Sequence, residues 1–372
     1  MTELHFEFGQ QSSELRKLYS FCPSFSRILT SIVQRTKLAD VDAESTIPQV
    51  VLKGAPIMKK IVALVMALCL VLCCCSAVAE DKVYNIGVLQ FVQHDALDAA
   101  TQGFQDALKD KLGDKVVIDV KNASGDTANC ATIANTFVSD GVDLIMANAT
   151  PALQACIAAT ADIPILGTSV TAYDVALEID DWKGYSEINV SGTSDLAPLN
   201  EQAAMVKELF PDAKTVALLY CSAEANSEYQ VKVMETELAA LGFTTERFAF
   251  TDSNDVAALA EQATSCDVIY IPTDNTAAAY KETIANVVVP ASKPVIAGEE
   301  GICVGCGVAT LTITYYDIGY KTGEMAYDVL VNGADISTME VAFAPQFTKK
   351  YNAEIAASLG VTIPEDYTAI AK

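Results

Sequence analysis

The chain has 372 residues, with 48 acidic and 24 basic side chains and a formal net charge of −24. That balance excludes nucleic acid and anionic membrane surfaces as binding partners, because holding phosphate requires a cluster of Lys and Arg. The length is enough for two domains, each burying its own core.

In chain order, residues 1–57 mix Arg16, Lys17, Arg27, Arg35 and Lys37 with scattered apolar residues, and no function is read from them. They precede a complete signal peptide, which marks them as an upstream extension from a mis-assigned start codon. Residues 58–79 are that signal. Met58, Lys59 and Lys60 form a short positive start, Ile61 to Leu72 is an apolar run, and Ala77, Val78 and Ala79 supply small-x-small cleavage chemistry. The run is too short to span a bilayer, which takes roughly 20 apolar residues. Leu70-Val71-Leu72-Cys73 also approximates a lipobox, although Leu72 stands where a small residue is preferred. The expected location is therefore exported, either periplasmic or as a lipoprotein anchored at the outer face of the cytoplasmic membrane.

Residues 80–372 keep 16 of the basic and 42 of the acidic side chains, a net charge of −26. From Val83 the pattern alternates short apolar runs with stretches of helical spacing. Val83 to Phe91 reads as a buried strand, and Asp95 to Leu112 as a helix with Ala96, Ala99, Ala100, Phe104, Ala107 and Leu108 on one stripe. Strands at 115–121, 142–147 and 163–166 alternate with helices at 127–139 and 151–160. The stretch from Tyr173 to Ser191, with Trp182 and Gly184, breaks the rhythm. A helix over 195–210 opens a second cycle: strands at 215–220, 244–250, 268–271, 295–297 and 308–313, and helices at 224–241, 256–263, 276–287 and 317–331. Such alternation predicts an α/β protein of two doubly wound, parallel-sheet lobes joined by a hinge.

In a sheet of this kind ligands sit beyond the C-terminal strand ends. The loops there carry Gln90, Phe91 and His94; Asn122 and Ser124; Asn148, Thr150 and Pro151; Thr168 and Ser169; Ser222, Glu224, Asn226 and Ser227; Thr273, Asp274, Asn275 and Thr276; Glu299 and Glu300. They hold hydroxyls, amides and carboxylates but no Lys or Arg, which suits a small zwitterion better than a phosphate. Thr150, before Pro151 at a helix start, is the candidate for a carboxylate, and Asp274 or Glu300 for an ammonium group. Thr150, Asp274 and Asn275 are each also plain helix caps. Phe91 and His94 offer flat faces on which an aromatic ligand can stack, or simply pack the core; Tyr173 and Trp182 are weaker candidates.

Catalysis is not expected. The chain lacks GxSxG, a phosphate-cradling GxxxxGK loop, a GxGxxG after the first strand, and any metal set, and residues 80–372 contain one histidine. Cofactors are not expected either. Cys303 and Cys306 form a lone CxxC; without a second CxxC or a Cys/His cluster, buried free cysteines are the favoured reading over a disulfide, metal or redox pair.

The segments Tyr84-Asn-Ile-Gly-Val-Leu-Gln-Phe-Val-Gln-His94, Asn148-Ala-Thr-Pro-Ala152, Ser222-Ala-Glu-Ala-Asn-Ser227, Ile271-Pro-Thr-Asp-Asn-Thr276 and Ala297-Gly-Glu-Glu-Gly301 together resemble the ABC transporter substrate-binding protein family, including tryptophan and tyrosine binders. The resemblance runs from about Val83 to the C-terminus. It implies a type I periplasmic-binding-protein fold, with crossovers near Ser194, Ile313 and Ala342. The first lobe would comprise 80–194 plus 314–341, and the second 195–313 plus 342–372. Carried over, it places a ligand between Gln90, Phe91, Thr150 and Ser169 on one lobe and Glu224, Asn226, Ser227, Asp274, Asn275 and Glu300 on the other. Asp95 after His94 departs from the proline expected there, so the shape of that loop is open. The implied partners are a small amino acid, aromatic by the resemblance, and a membrane permease, with the chain itself a monomer. The other readings are a sensory module of the same fold for a receptor, and an exported thiol or redox protein using Cys303 and Cys306. A LacI-type regulator would need a basic DNA-reading head that residues 1–57 do not supply.

Overall fold

The computed structural model describes residues 82–371, so the signal segment, the lipobox and residues 1–57 lie outside the described residues. Strands β1 (Tyr84–Gln90), β2 (Val116–Asn122), β3 (Leu144–Asn148), β4 (Ile165–Val170) and β5 (Val190–Ser194) form one sheet with β11 (Ala342–Phe343), in the order β11-β5-β4-β3-β1-β2 and parallel throughout. A second sheet holds β6 (Thr215–Cys221), β7 (Thr244–Phe250), β8 (Val268–Ile271), β9 (Val295–Ala297), β10 (Ala309–Thr312), β12 (Thr348–Tyr351) and β13 (Thr368–Ala369), in the order β13-β12-β10-β9-β8-β6-β7. Its β12 runs antiparallel to β10, so this sheet is mixed at one side rather than wholly parallel.

Each sheet is buried on both faces, and the period of two along a strand is what sorts its side chains. In β6, Val216, Leu218 and Tyr220 enter one core with Met234 and Leu238, while Ala217, Leu219 and Cys221 enter another with Phe250 and Ile269. In the first sheet Ile86 and Val88 face Phe104, Leu108 and Met325, and Leu89 faces the opposite core with Phe137 and Leu153.

Several elements differ from the sequence expectation. The helix expected over 195–210 runs only Leu199–Leu209, leaving Asp195 on the connection between the sheets, and the one expected at 317–331 begins two residues early as Tyr315–Leu330. The helix expected over 276–287 is two, Asn275–Ala279 and Lys281–Val288, meeting at Tyr280. Strand β5 lies where no strand was expected. Its sequence, Val190-Ser-Gly-Thr-Ser194, has one large apolar residue, because the Tyr173 ring fills the space above it: a Cβ at Gly192, where φ is +145°, would stand 2.0 Å from the Gly167 oxygen and 2.4 Å from the Tyr173 hydroxyl. Ala342, expected to open the second lobe, is hydrogen-bonded within the first sheet beside Thr193, and the chain leaves that sheet only after Phe343. The helices Glu300–Gly305 and Ala353–Leu359 were not anticipated either.

Helix Tyr315–Leu330 lies directly against helix Asp95–Leu112, and glycine makes the approach possible. A Cβ on Gly319 would sit 2.0 Å from the Ala100 carbonyl oxygen, and one on Gly103 would sit 2.1 Å from the Tyr316 oxygen. These are backbone atoms, so no rotamer change relieves the clash. Gly319→Ala therefore pits a helix-propensity gain of about 1 kcal/mol against the overpacking penalty of about 1–3 kcal/mol or more that backbone displacement costs. We expect a lower urea midpoint; an unchanged or raised midpoint would show that the helices do not pack this closely.

Candidate functional site

Between the C-terminal ends of the two sheets lies a cavity lined from the first sheet's side by His94, Leu97, Ser169 and Thr171, from the second's by Asn226, Thr273, Asp274, Asn275, Ala278 and Glu299, and by Asp195 and Tyr315 from the connecting segments. Its volume is about 10 Å³, room for about one water molecule. Two contacts close the mouth. His94 Nε2 and Asn275 Oδ1 are 3.3 Å apart, and Lys281 pairs with Asp95. Asn275 donates its Nδ2 to Glu224 Oε2 at 2.6 Å, so its oxygen is the acceptor and His94 the donor. Burial pushes the His94 imidazole down to about 4, keeping it neutral.

The first-sheet wall is built on strained turns. Ala149 takes φ 91° and Ser169 φ 54°, in the left-handed region that non-glycine residues rarely adopt, a pattern that gathers at binding sites. The turn at Ala149 launches helix Thr150–Ala159, with Pro151 at its start and no side-chain cap. Four buried side-chain atoms nearby or across the cavity have no hydrogen-bond partner among the described residues: Asn148 Oδ1, Thr150 Oγ1, Ser169 Oγ and Asn226 Oδ1. An unmade buried hydrogen bond costs about 1–3 kcal/mol, so four together mark a surface shaped for a polar guest.

The second-sheet wall is held by carboxylates acting as braces. Glu224 accepts from Thr276 N and Oγ1 through one oxygen and from Asn226 Nδ2, Asn275 N and Asn275 Nδ2 through the other. Asp274 takes Ala277 N at 2.7 Å, Cys221 N at 2.6 Å and Ser227 Oγ at 2.7 Å. Glu299 caps helix Glu300–Gly305 by accepting from Gly301 N at 2.6 Å and from Ile302 N. Asp195 accepts from two hydroxyls, Thr171 Oγ1 at 3.1 Å and Tyr315 OH at 3.0 Å.

Of the residues singled out from sequence, His94, Ser169, Asn226, Asp274 and Asn275 line the cavity, as do Thr273 and Glu299 from the strand-end loops, and Thr150 lies buried at its helix start. Others are placed elsewhere. Phe91 is core, packed with Leu89 and Phe137. Gln90 is consumed internally, donating to Val92 O and Asp98 Oδ1 and accepting from Thr101 Oγ1. Glu224 and Ser227 brace the loops from behind. Glu300 turns outward to pair with Lys350 at 2.6 Å, leaving its neighbour Glu299 as the inward carboxylate. Tyr173 and Trp182 stack on each other at 6.3 Å, with Tyr173 in the core. Missed residues are Asp195, Thr171, Tyr315, Leu97 and Ala278, while Thr273 and Glu299 were named in the strand-end loops without a role of their own. The sequence pattern puts Asp195 at a helix start and gives Tyr315 no role, and nothing local in the sequence distinguishes either.

Cys303 and Cys306 are buried free thiols, with burial pushing Cys306 up to about 12 and Cys303 well above its ordinary value. Among the described residues no group of three or more His, Cys, Asp or Glu is placed to hold a metal, and no helix is long and apolar enough to cross a membrane.

Two α/β lobes meeting over a polar cleft define a hinged binding protein of the type I periplasmic class. The family model described as ABC transporter substrate binding protein matches residues 85–372, and the chain belongs to that family. A tyrosine-binding protein of Clostridioides difficile (strain R20291) is 37% identical over 255 residues, 68% of this chain and 74% of that protein. Among solved structures, the ABC domain in complex with L-Trp from Streptococcus pneumonia is 35% identical with a TM-score of 0.73, covering 76% of this chain and 97% of that one. The ligand-free, open structure of a substrate binding protein with adhesive properties from Clostridium difficile is 36% identical with a TM-score of 0.60, covering 77% and 99%. This chain stands closer to the complex than to the open form.

Burial lifts the Asp195 carboxyl to about 6 and the Glu299 carboxyl to about 7. It also raises Asp274, where the Glu224 charge adds repulsion. Unfolded, such groups titrate near 4. Between about pH 4 and pH 7 the folded chain thus binds more protons than the unfolded one, and stability falls as pH rises through that window. His94 works the other way, losing stability as pH drops below about 6.5, but it is one group against three. We expect residues 80–372 without ligand to be more stable at pH 5.5 than at pH 8 by roughly a few kcal/mol, read from urea midpoints, with Glu299→Gln narrowing the gap. A chain more stable at pH 8 would contradict this placement of the acids.

Proposed function

We propose that this substrate-binding protein captures an aromatic amino acid outside the cytoplasm and delivers it, in the closed form, to an ABC permease. The observation that carries the reading is the set of unpartnered buried polar atoms: Ser169 Oγ and Asn226 Oδ1 line a cavity that also holds buried acids, and Asn148 Oδ1 and Thr150 Oγ1 lie at the neighbouring strand end and helix start. Hydroxyls at Thr150 and Ser169, beside an uncapped helix N-terminus, suit a carboxylate; the carbonyl oxygens of Asn148 and Asn226 can only accept, and suit an ammonium or hydroxyl donor. Among the described residues, none lining the cavity is Lys or Arg, which disfavours phosphorylated or polyanionic ligands. His94, Tyr315 and Leu97 supply flat and apolar surface for a ring. The relatives point the same way, one being a tyrosine-binding protein and one a complex with L-Trp.

The lobes must separate before an amino acid can enter so small a cavity, and contacts of the ligand with both walls then favour closure. In this reading the lobes comprise residues 82–194 with 314–343, and 195–313 with 344–371. The chain works as a monomer without altering its ligand, exported and either free or tethered through an acylated Cys73.

Thermal melting of residues 80–372 with each of the twenty L-amino acids tests the ligand class, since a ligand at 100 times its Kd stabilises by about 2.7 kcal/mol. Tyrosine or tryptophan is expected to raise the melting temperature most; no response to any aromatic amino acid overturns the reading. Thr150→Val separates site from scaffold. It removes a hydroxyl that the fold leaves unpartnered, so stability should hold or rise while affinity for the ligand falls roughly tenfold, the worth of one hydrogen bond. Unchanged affinity would remove Thr150 from the site.

A further inference from the structure

We propose that Asp95 and Lys281 form a latch across the mouth of the cleft, an ion pair made only when the lobes come together, which sets how tightly a ligand is held without touching it. The inference rests on the reading above that the lobes close over an amino acid, and adds to it two residues that act on closure alone.

The pair joins one lobe to the other. Asp95 opens helix Asp95–Leu112 on the first, and Lys281 opens helix Lys281–Val288 on the second. By contrast Lys82–Asp143 and Lys111–Glu324 stay within the first lobe, and Arg247–Glu235 and Lys350–Glu300 within the second. Neither Asp95 nor Lys281 lines the cavity. Asp95 directly follows His94, whose imidazole donates to Asn275 across the same gap. One turn of the first lobe thus meets two successive helices of the second, Asn275–Ala279 and Lys281–Val288, along one edge of the mouth.

Both partners are positioned by their own lobes. The Lys281 stem lies across Gly305 of helix Glu300–Gly305, where a Cβ would stand 2.8 Å from the Lys281 Cγ and 2.9 Å from its Cβ. Only 18% of the lysine side chain is exposed, so little rotamer freedom remains to be lost when the pair forms. Asp95 is 75% exposed, but its backbone belongs to the helix that glycine contacts press against Tyr315–Leu330, and the positive end of that helix favours its charge. Electrostatics give the pair its work. Residues 80–372 carry a net charge of −26, and both lobes are acidic, so closure sets like charges against each other. At this edge the Glu299 carboxyl, lifted by burial, is pushed further up by Asp95 and drawn back by Lys281. A lysine facing Asp95 turns a repulsive edge into an attractive one.

The test is a double-substitution cycle: L-tyrosine and L-tryptophan are titrated calorimetrically into residues 80–372 and into the Asp95→Asn, Lys281→Met and doubly substituted forms. Each single substitution is expected to lower affinity for both amino acids by the same factor, roughly two- to five-fold, the worth of a partly exposed ion pair. The double form should lose no more than either single one, because the second substitution finds the pair already broken. In about 1 M NaCl, where the screening length falls to about 3 Å, the gap between the parent and Lys281→Met should shrink. Ligand-free melting is expected to stay close to the parent's, as for surface substitutions generally; should Lys281→Met melt far below it, Lys281→Gln takes its place. Losses that add in the double form, or that differ between tyrosine and tryptophan, would mean that Lys281 acts through Glu299 or the ligand and overturn the latch. So would a gap that salt leaves untouched, or an unchanged affinity in either single form. A parent chain that binds neither amino acid overturns the underlying ligand reading instead, and the same cycle is then run with whichever amino acid the melting screen selects.

Discussion

Burying carboxylates around a cleft is the constraint on which the rest of this structure depends. Glu224, Asp274 and Glu299 are each almost fully buried, and charges taken out of water persist only where donors replace the solvent. The loops after β6, β8 and β9 supply those donors as backbone N–H groups and short side chains. Glu224 reaches from the start of helix Ala225–Ala240 to cap helix Asn275–Ala279, and Asp274 reaches back to Cys221 N. The second lobe's rim is thereby cross-braced into one rigid surface, and cavity-lining groups such as Asn226 are held from behind.

The first lobe's wall is the opposite case. Its side of the cavity is lined by His94, Leu97, Ser169 and Thr171; the Ser169 hydroxyl finds no partner among the described residues, and neither do Asn148 Oδ1 and Thr150 Oγ1 on either side of the strained turn at Ala149. Unpartnered polar atoms thus stand on both walls, Ser169 Oγ on the first and Asn226 Oδ1 on the second, the latter on a surface that carboxylates brace. Lobe motion is the natural means of uniting them, and the close glycine-mediated packing of helices Asp95–Leu112 and Tyr315–Leu330 gives the first lobe the stiffness to move as a unit.

Membership of the substrate-binding family and the geometry of the cleft reach the same place independently. Neither requires a nucleophile, metal or phosphate loop, and the buried histidine and thiols are accounted for by packing: His94 as a neutral donor across the mouth, Cys303 and Cys306 as thiols in the second core.

What the sequence by itself determined was whatever rests on local pattern. The alternation of apolar runs and helical stripes gave two α/β lobes, and polar residues at strand ends gave a cleft without basic side chains, including Ser169, Asn226, Asp274 and Asn275. Only the tertiary structure decided which of those polar groups line the cavity. Gln90 and Thr101 satisfy each other, Glu224 caps a helix 51 residues away, and Glu300 rather than Glu299 points outward, because hydrogen-bond partners are assigned by packing and not by spacing. The same holds for β5, whose small residues make sense only beneath the Tyr173 ring, and for Asp195 and Tyr315, which are 120 residues apart and acquire a shared role only when two connections between the lobes run side by side.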